Sequence, residues 1–401
     1  MRVLHVTPSF YPATRLGGPI QSTLGLCNAL ASKAGVDLTV LTTNMGSQST
    51  EKRLSDETLR VHSSSNYSVT YSKCWWGKDV APGLLGSLWR AVNTADIVHL
   101  TGVYSFPTVP TLLLARMAVK PVLWSPRGAL LAASDWKSVN RPRLKFVWET
   151  ACRIALNYDS TVVHATSQAE LAASLTRMPC LRGVVIPNGV VIPKAVSRPK
   201  IRVARPGDSE LRLMFIGRLD PIKALDNLIS SLSQLPYGFA KLRIFGSGQC
   251  AYEKHLKKLV AAAGLEKQVE FEGHVDGHRK TQAFAEADVC VVPSHIESFG
   301  MVVGEALAHG LPVIVSKGVP WPDIEAWNCG ISTENSPRKL ADAILEMSRR
   351  DCQAMGLNGR RWVLEEFDWS NVCDRFLKVY GAMIHGKECT NALFQRMGER
   401  Q

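Results

Sequence analysis

Two glutamates eight residues apart form the part of the sequence best suited to hold a sugar. Glu297 follows the apolar run VCVVP, and Glu305 lies in the apolar stretch MVVGEALAH. A carboxylate accepts hydrogen bonds from vicinal hydroxyls, so this pair could hold a hexose and a ribose at once. The spacing alone is common by chance, but its context of strand, Ser-Phe-Gly, helix, Gly-Leu-Pro and strand is more specific. The predicted helix start would add free backbone N–H groups for phosphate or sugar oxygens.

Two cations precede an apolar helix in the segment GRLDPIKALDNLI, residues 217–229. Arg218 directly follows a predicted strand, and Lys223 lies five residues further on. Arg can bind two phosphate oxygens as a planar fork and Lys acts as a point charge, so the pair suits a diphosphate. An exposed, solvated pair at the start of a helix explains the same residues equally well.

The elements that must position these side chains are short apolar runs separated by helix-length spacers. The runs are RVLHVT, DLTVLTT, ADIVHLTG, KPVLWSP, STVVHATS and GVVIPNG in the first half, then LRLMFIG, KLRIFGSG, QVEFEGH, ADVCVVPS and LPVIVS. This alternation predicts mostly parallel sheets covered by helices on both faces. Such sheets bind ligands beyond the carboxyl ends of their strands, where the two glutamates and the two cations lie.

The length of 401 residues favours two domains. A polar stretch punctuated by proline, residues 191–210, interrupts the alternation. We therefore expect an α/β protein with two tandem doubly wound domains, at residues 1–193 and 211–368, and a linker at 194–210. Residues 369–401 open with apolar positions at helical spacing, which predicts a closing helix that packs back toward the N-terminal domain, and then a tail.

Taken in order, these motifs resemble those of the retaining GT-B glycosyltransferases of family 4, the glycosyl transferases group 1. The segment from Glu297 to Glu305 resembles the E-x7-E region of that family, and GRLDPIK resembles its Arg/Lys diphosphate clamp. IFGSGQ resembles its glycine turn near the base, GGPIQSTLGLCNAL its first glycine loop, and IPNGV the end of its first domain. The resemblance covers nearly the whole chain and implies two Rossmann-like domains with a cleft between them.

The resemblance also implies a role for each matching position. Glu297 would bind the donor sugar hydroxyls and take part in catalysis, Glu305 would bind the ribose, and Arg218 and Lys223 would neutralise the diphosphate. The backbone would approach the donor, or at the first glycine loop the donor or acceptor, at Ser298, Phe299, Gly300, Gly246, Gly17 and Gly18. The implied donor is a nucleotide diphosphate sugar, with UDP or GDP as the expected nucleotide and no further cofactor.

The loop LWSPRGALL departs from many members of the family, which place a His there. This chain has Arg127 instead, and in this it is similar to a bacterial subset with the sequence SPRG. Arg127 could stabilise the charge that develops on the leaving group, or it could be a buried structural arginine. His99, in the strand end HLTG, is a second catalytic candidate, with a purely structural hydrogen-bonding role as the alternative.

The sequence contains no Asp-x-Asp, the carboxylate pair through which many other glycosyltransferases hold a divalent metal. We therefore expect no metal, and the leaving diphosphate would be stabilised by Arg218, Lys223 and a helix N-terminus. The resemblance implies retention, in which the acceptor hydroxyl attacks from the face that the diphosphate leaves. The expected activity is metal-independent, retaining hexosyl transfer (EC 2.4.1.-).

The positive charge is concentrated in the first half of the chain. Residues 1–200 contain 22 Lys and Arg against 10 Asp and Glu, whereas residues 201–401 contain 25 of each. Residues 136–156 interleave cations with Trp and aliphatic side chains, which suits an anionic membrane surface, although a solvated basic helix face is the alternative. We read no signal peptide and no spanning helix, and ten scattered cysteines are typical of a cytosolic protein. The expected location is cytoplasmic, with or without peripheral attachment to the inner face of the plasma membrane.

Several functions remain open from the sequence. A lipid-linked saccharide of a bacterial surface polysaccharide, such as O-antigen, capsule or exopolysaccharide, fits the basic first domain as acceptor. A non-hydrolysing nucleotide-sugar 2-epimerase shares the twin-domain architecture, but the segment from Glu297 to Glu305 and its Arg/Lys clamp favour a transferase. The last alternative is a basic nucleic-acid- or membrane-binding protein without catalysis. We expect no nucleic-acid partner, because the aromatic residues do not cluster as a stacking platform.

Overall fold

The computed structural model of the chain describes residues 1–13, 18–44, 67–75, 80–131, 142–194, 210–386 and 394–395. The chain divides into two compact units. Unit 1 comprises Met1–Gly189 and Trp369–Gln401, and unit 2 comprises Val190–Asp368. The division falls at Gly189 rather than at residue 193. The linker predicted at 194–210 lies, apart from its two end residues, outside the described residues.

Within the described residues, the sheet of unit 1 has seven strands in the order β3-β2-β1-β4-β5-β6-β7. The strands are β1 Arg2–Val6, β2 Asp37–Thr43, β3 Ser68–Ser72, β4 Ile97–Thr101, β5 Val122–Ser125, β6 Thr161–Ala165 and β7 Arg182–Val185. All neighbours in the sheet pair in parallel. The central strands β4, β5 and β6 are buried along their whole length, as expected for a parallel sheet covered on both faces.

Helices cover both faces of this sheet. They are α1 Gly18–Ala31, α2 Gly83–Thr94, α3 Thr108–Met117, α4 Pro142–Ala155, α5 Gln168–Arg177 and α12 Trp369–His385. Apolar residues of α2, α3, α4 and α5 share one hydrophobic cluster with one side of the sheet, whereas those of α1 and α12 pack in a second cluster on the other side. Helix α12 therefore belongs to the core of unit 1.

The described residues of unit 2 form a six-stranded parallel sheet in the order β10-β9-β8-β11-β12-β13. Its strands are β8 Leu211–Ile216, β9 Ala240–Phe245, β10 Val269–Gly273, β11 Val289–Val292, β12 Val313–Ser316 and β13 Gly330–Thr333. Its helices are α6 Leu225–Leu232, α7 Cys250–Ala262, α8 Gly277–Glu286, α9 Met301–Ala308, α10 Pro337–Met347 and α11 Cys352–Glu366.

The helices of unit 2 also lie on both faces of their sheet. Residues of α6, α7 and α10 share one hydrophobic cluster, and residues of α8, α9 and α11 share another. The prediction of two doubly wound parallel α/β domains is thus confirmed. Within the described residues, no helix is both long and apolar enough to cross a bilayer.

Candidate functional site

The strand order of unit 2 creates a switch point between β8 and β11. These two strands are neighbours at the centre of the sheet, and the next strands along the chain, β9 and β12, lie on their opposite sides. The loops that leave the carboxyl ends of β8 and β11 therefore run apart, which opens a crevice suited to a ligand. The first loop contains Arg218 and Lys223, and the second contains Glu297.

Lys223 and Glu297 meet directly at this switch point. The Lys223 Nζ lies 2.5 Å from the Glu297 Oε1, with 21% of the lysine side chain and 13% of the glutamate side chain exposed. The Ser294 hydroxyl donates to the same Oε1 at 2.8 Å. The two loops are also joined through their backbones, because the N–H of His295 donates to the carbonyl of Ile222 at 2.8 Å. The lysine predicted for a diphosphate is therefore held by the carboxylate predicted for the sugar.

The loop after β8 is shaped by its own sequence. Asp220 caps the short 3-10 turn Pro221–Lys223 by accepting the backbone N–H of Ile222 at 3.1 Å. Ala224 then takes the left-handed conformation with φ 49°, which separates this turn from α6. Arg218 lies nearer the strand, with its Nη2 3.5 Å from Asp220 and 66% of its side chain exposed. It keeps a cation available to an anionic ligand.

A glycine turn after β9 braces the same loop. A Cβ at Gly246 would lie 1.8 Å from the carbonyl oxygen of Gly217, and Gly246 has φ 143°, so no other residue fits. The backbone N–H of Leu219 donates to the carbonyl of Ser247 at 3.0 Å. Gly246 thus fixes the position of the residues around Arg218, while its predicted approach to the donor stays a prediction.

The residues that lead into α9 are fixed by an aromatic anchor. Phe299 is 3% exposed and packs against Trp321, whose Nε1 donates to the carbonyl of Phe299 at 2.7 Å. Gly300 caps α9 with φ 80°, a conformation that favours glycine. Ser298 lies in the same loop as Glu297. The donor contacts predicted for the backbone of these residues remain predictions, but their backbone is held in place by the core.

Glu305 on α9 has a separate cationic partner. Its Oε1 lies 2.6 Å from the Nζ of Lys280 on α8, and both side chains are partly exposed. Lys280 was not among the predicted site residues, because the run His-Arg-Lys in a predicted helix is the only feature of the sequence that marks it. The two glutamates of the predicted pair therefore have different lysines, both of which could meet the phosphates or the ribose of a nucleotide.

Arg127 lies in the loop after β5 of unit 1. Its backbone is left-handed with φ 54°, and its Nη1 donates to the Oδ1 of Asn188 at 2.5 Å. The buried Nε has no hydrogen-bond partner among the described residues. Burial lowers the pKa of this guanidinium below its usual range. Arg127 is thus a half-buried cation whose Nε–H has no acceptor among the described residues. This is compatible with both predicted roles, stabilisation of the leaving group and a structural arginine.

Glu170, which was not among the predicted site residues, supports this loop. Its buried carboxylate accepts the backbone N–H of Gly128 at 2.5 Å, and from Thr166 the backbone N–H at 2.8 Å and the hydroxyl at 2.6 Å. Ser167 caps α5 by accepting the N–H of Glu170. The sequence Ser-Gln-Ala-Glu has the spacing of a capping box, and that signal could have marked the residue.

His99 belongs to a buried hydrogen-bond chain. Its Nδ1 lies 2.6 Å from the Tyr380 hydroxyl and its Nε2 lies 2.7 Å from the Ser125 hydroxyl. Ser125 in turn lies 2.6 Å from the Nδ1 of His164, whose Nε2 lies 2.9 Å from the carbonyl of Ile186. A carbonyl only accepts, so neutral rings give the chain one direction: Tyr380 donates to His99, His99 to Ser125, Ser125 to His164 and His164 to the carbonyl.

The histidines of this core are neutral. Burial, together with the charge of Arg127, lowers the pKa of His5 and of His164 to about 3, and burial lowers the pKa of His99 well below its usual range. His99 is 0% exposed and both its nitrogens are engaged. The geometry favours the structural alternative for His99, and a direct catalytic role for it stays a prediction.

Two predicted positions lie at the start of unit 1. Gly18 is the first residue of α1, whereas Gly17 lies outside the described residues. Among the residues that the structure describes, no group of three His, Cys, Asp or Glu side chains is placed to hold a metal ion.

Comparison with known proteins matches residues 197–362 to the family described as Glycosyl transferases group 1. An uncharacterised glycosyltransferase of Methanocaldococcus jannaschii is 31% identical over 43% of this chain and 45% of its own length. The GDP-mannose-dependent alpha-(1-6)-phosphatidylinositol dimannoside mannosyltransferase of Mycobacterium tuberculosis is 29% identical over 62% of this chain and 64% of its own length. The chain thus spans less than two thirds of these two relatives.

Solved structures share the fold over almost the whole chain. The sucrose-phosphate synthase of Thermosynechococcus elongatus superposes with a TM-score of 0.73 at 18% identity, over 96% of this chain and 100% of that chain. The Anabaena protein HepE, solved in complex with UDP, gives a TM-score of 0.70 at 20% identity, over 95% and 100% of the two chains. The chain has the GT-B fold.

Proposed function

We propose that the protein is a glycosyltransferase that moves a hexose from a nucleotide diphosphate sugar to a hydroxyl acceptor. The observation that carries the proposal is the contact between Lys223 and Glu297 at the β8/β11 switch point, with Arg218 exposed beside it. This site lies inside the stretch that matches the glycosyltransferase group 1 family. The fold supplies a crevice there, and the side chains supply the cations and carboxylate that a sugar diphosphate needs.

In the proposed donor complex, the ammonium of Lys223 leaves its ion pair with Glu297 and binds the diphosphate. A phosphate oxygen is a stronger partner for the ammonium than one carboxylate oxygen, because it adds charge and further acceptors. Glu297 then accepts hydrogen bonds from the sugar hydroxyls, with the Ser294 hydroxyl still fixing its Oε1. Glu305 binds the ribose, and Arg218 closes on the outer phosphate oxygens. Donor binding thus converts an ion pair into two separate contacts with the substrate.

We propose UDP or GDP as the nucleotide. A mannosyltransferase that its name describes as GDP-mannose-dependent is among the relatives, and HepE was solved with UDP. We further propose a metal-independent, retaining reaction of family 4 type, in which Arg218, Lys223 and the start of α9 stabilise the leaving diphosphate. We also propose that Arg127, whose buried Nε has no hydrogen-bond partner among the described residues, stabilises the charge that develops on the leaving group.

We propose that the acceptor is a lipid-linked saccharide of bacterial surface polysaccharide, and that the protein works in the cytoplasm at the inner face of the plasma membrane. The basic first half of the sequence supports this proposal. The segment 136–156 is described only from residue 142 onward, so Trp136, Lys137 and Arg141 lie outside the described residues.

A thermal-shift panel of UDP-, GDP-, ADP- and dTDP-sugars tests the donor site. A ligand present at 100 times its dissociation constant stabilises the fold by about 2.7 kcal/mol. We expect one nucleotide series to raise the Tm of the wild type but not of Lys223→Ala. Lys258→Ala, an exposed lysine on α7 of the same unit, is the matched control and should respond as the wild type. No response to any nucleotide sugar would refute the proposal.

The reaction product distinguishes a glycosyltransferase from the alternative, a nucleotide-sugar 2-epimerase. The purified protein is incubated with the nucleotide sugar that stabilises it, first without and then with a saccharide acceptor. A transferase gives a glycoside only when the acceptor is present, and NMR of the first-formed glycoside shows whether the anomeric configuration is retained. Epimerised nucleotide sugar formed without acceptor would favour the epimerase, and an inverted product would remove the retaining mechanism alone.

A further inference from the structure

Three neighbouring helices of unit 1 expose an unusual amount of apolar surface. Helix α3 packs between α2 and α4 on one side of the sheet. Nine of the sixteen exposed large hydrophobic residues in the described part of the chain lie on these helices or directly after α3, each between 41% and 75% exposed. They are Leu85, Trp89, Leu113, Met117, Val119, Leu144, Phe146, Val147 and Ile154. We call this surface the three-helix face.

Helical spacing keeps these residues on the outer side. On α4, Glu149, Cys152 and Ala155 are buried, whereas Val147 and Ile154, two turns apart, are exposed. The end of α3 is tied to the end of α4, because the Arg116 Nη1 donates to the carbonyl of Ile154 at 2.7 Å. The exposed apolar side chains near the two helix ends are therefore close together and form one surface.

The charges on this face have a single sign. Residues 83–94, 108–120 and 142–155 contain six cations: Arg90, Arg116, Lys120, Arg143, Lys145 and Arg153. Their only acidic residue, Glu149, is 3% exposed and points inward, where its Oε1 lies 3.0 Å from the Arg177 Nη2 and accepts the hydroxyl of Tyr104. The outer surface is therefore apolar and cationic, with no exposed carboxylate on these described stretches.

We propose that the three-helix face docks on an anionic lipid bilayer. Apolar side chains flanked by cations partition into the interface, where the cations meet the lipid headgroups and the apolar groups enter the acyl boundary. Exposed aliphatic side chains would contribute little to the affinity for a nucleic acid. Single strands bind mainly by stacking on aromatic rings, and duplexes bind mainly through their phosphates. The inference deepens the proposed function and rests on it, since it names the surface at which a lipid-linked acceptor is met. It extends the segment predicted from the sequence to two further helices.

Co-sedimentation of the full-length protein with lipid vesicles tests this inference. The probes are vesicles of phosphatidylcholine alone and of phosphatidylcholine mixed with phosphatidylglycerol. We expect the wild type to sediment with the anionic vesicles at low ionic strength and to be released by salt, because exposed charges are screened within a Debye length of about 8 Å at physiological salt. Phe146→Asp should reduce partitioning at least tenfold, and Arg143→Ala about fivefold.

The control variants lie on unit 2. Leu357→Asp alters a side chain as exposed as Phe146, 63% in both cases, and Arg338→Ala removes an exposed cation of α10. Both controls should bind vesicles as the wild type does. The inference is overturned if the wild type ignores anionic vesicles, if it binds both vesicle types equally, or if Leu357→Asp loses as much binding as Phe146→Asp. It is also overturned if Phe146→Asp instead abolishes self-association in light scattering, because the occupant would then be a second copy. Thermal shifts with nucleotide sugar, measured without vesicles, report separately on the proposed function.

Discussion

The two units use the same order of strands around their switch points but fill them with opposite chemistry. In unit 1, His5 on β1 and His99 on β4 stack with ring centroids 4.4 Å apart, and both are 0% exposed. In unit 2, the loops after β8 and β11 bring together Lys223 and Glu297, which are charged and partly exposed. The neutral histidines of unit 1 contact one another in the core. The charged side chains of Lys223 and Glu297 in unit 2 can instead exchange their ion pair for contacts with a ligand.

The same strand order therefore supports a structural core in unit 1 and a candidate binding site in unit 2. In the buried chain of unit 1 every O–H and N–H donor already has an acceptor, so the chain orders the sheet and has no spare donor for a ligand. A half-buried ion pair keeps its charges near solvent and is worth little in stability by itself. Substitutions at the two sites test this contrast.

Replacing Glu297 by Gln should separate turnover from donor binding. The amide removes the charge that holds Lys223, so affinity for the nucleotide sugar should be kept or rise, while kcat falls by about 10²- to 10³-fold because the sugar contact weakens in the transition state. Steady-state kinetics and calorimetric titration of the donor give the two quantities. Glu334→Gln, an exposed glutamate of the same unit, is the control. A parallel loss of affinity and kcat would contradict the proposed exchange of partners.

Replacing Lys223 by Ala should act mainly on donor binding. Hydrogen bonds to charged groups contribute about 1.5–3 kcal/mol, so the KM for the donor should rise by roughly 10- to 100-fold. The stability of the unliganded protein should change by less than about 1 kcal/mol, because the ion pair with Glu297 is partly solvated. Urea denaturation without ligand checks the second expectation. A large loss of stability would mean that Lys223 belongs to the scaffold, as the histidines of unit 1 do.

Replacing Glu170 by Gln should destabilise unit 1. The amide nitrogen cannot accept the hydrogen bonds from Gly128 and Thr166 that the buried carboxylate accepts, so one or more buried donors lose their partner at about 1–3 kcal/mol. Denaturation curves measure this cost, and activity at low temperature shows whether Arg127 is still held in place. Glu210→Gln, an exposed glutamate, should leave both unchanged. If Glu170→Gln has the stability of the wild type, the loop after β5 is not supported in this way.

The buried histidines should make the stability of unit 1 depend on pH in the acidic range. The pKa of His5 and His164 is about 3 in the folded protein and about 6.5 when unfolded, so the unfolded state binds more protons between these values. The free energy of unfolding therefore falls as pH drops below about 6.5, by up to about 1.4 kcal/mol per pH unit for each histidine. His5→Gln should remove one such contribution from the slope of stability against pH. An unchanged slope would show that His5 is not buried in its neutral form.

The fold was predictable where hydrophobic runs are long and central. Each run singled out in the sequence corresponds to a strand, but β3 and β13 were not among them. Both are edge strands with polar residues, Ser-Val-Thr-Tyr-Ser and Gly-Ile-Ser-Thr, because an edge is only partly covered and needs fewer apolar side chains. The other two edge strands, β7 and β10, were predicted from the runs GVVIPNG and QVEFEGH, so the signal is lost only where an edge strand is also polar.

The candidate site was predictable only in part, for a similar reason. Glu297 and Lys223 occupy loops whose positions follow from the strand order, so their proximity could be foreseen. Lys280 meets Glu305 through the packing of α8 beside α9, and a lysine in a polar helix gives no local signal of that contact. The hydrogen bonds of His99 also depend on Tyr380, which lies 281 residues away along the chain. Such contacts appear only when the tertiary structure is known.

The return of α12 to unit 1 has a consequence for how the protein is made. Val372, Phe376 and Tyr380 are buried in the core that also contains β1 and β4, yet they follow the whole of unit 2 in the chain. During synthesis from the N-terminus, unit 2 is therefore complete before unit 1 can close its core. Until then, His99 lacks the Tyr380 donor of its hydrogen-bond chain, and that side of the first sheet is covered only in part, by α1. The core of unit 1 can therefore close only after α12, which follows the whole of unit 2 in the chain, has been synthesised.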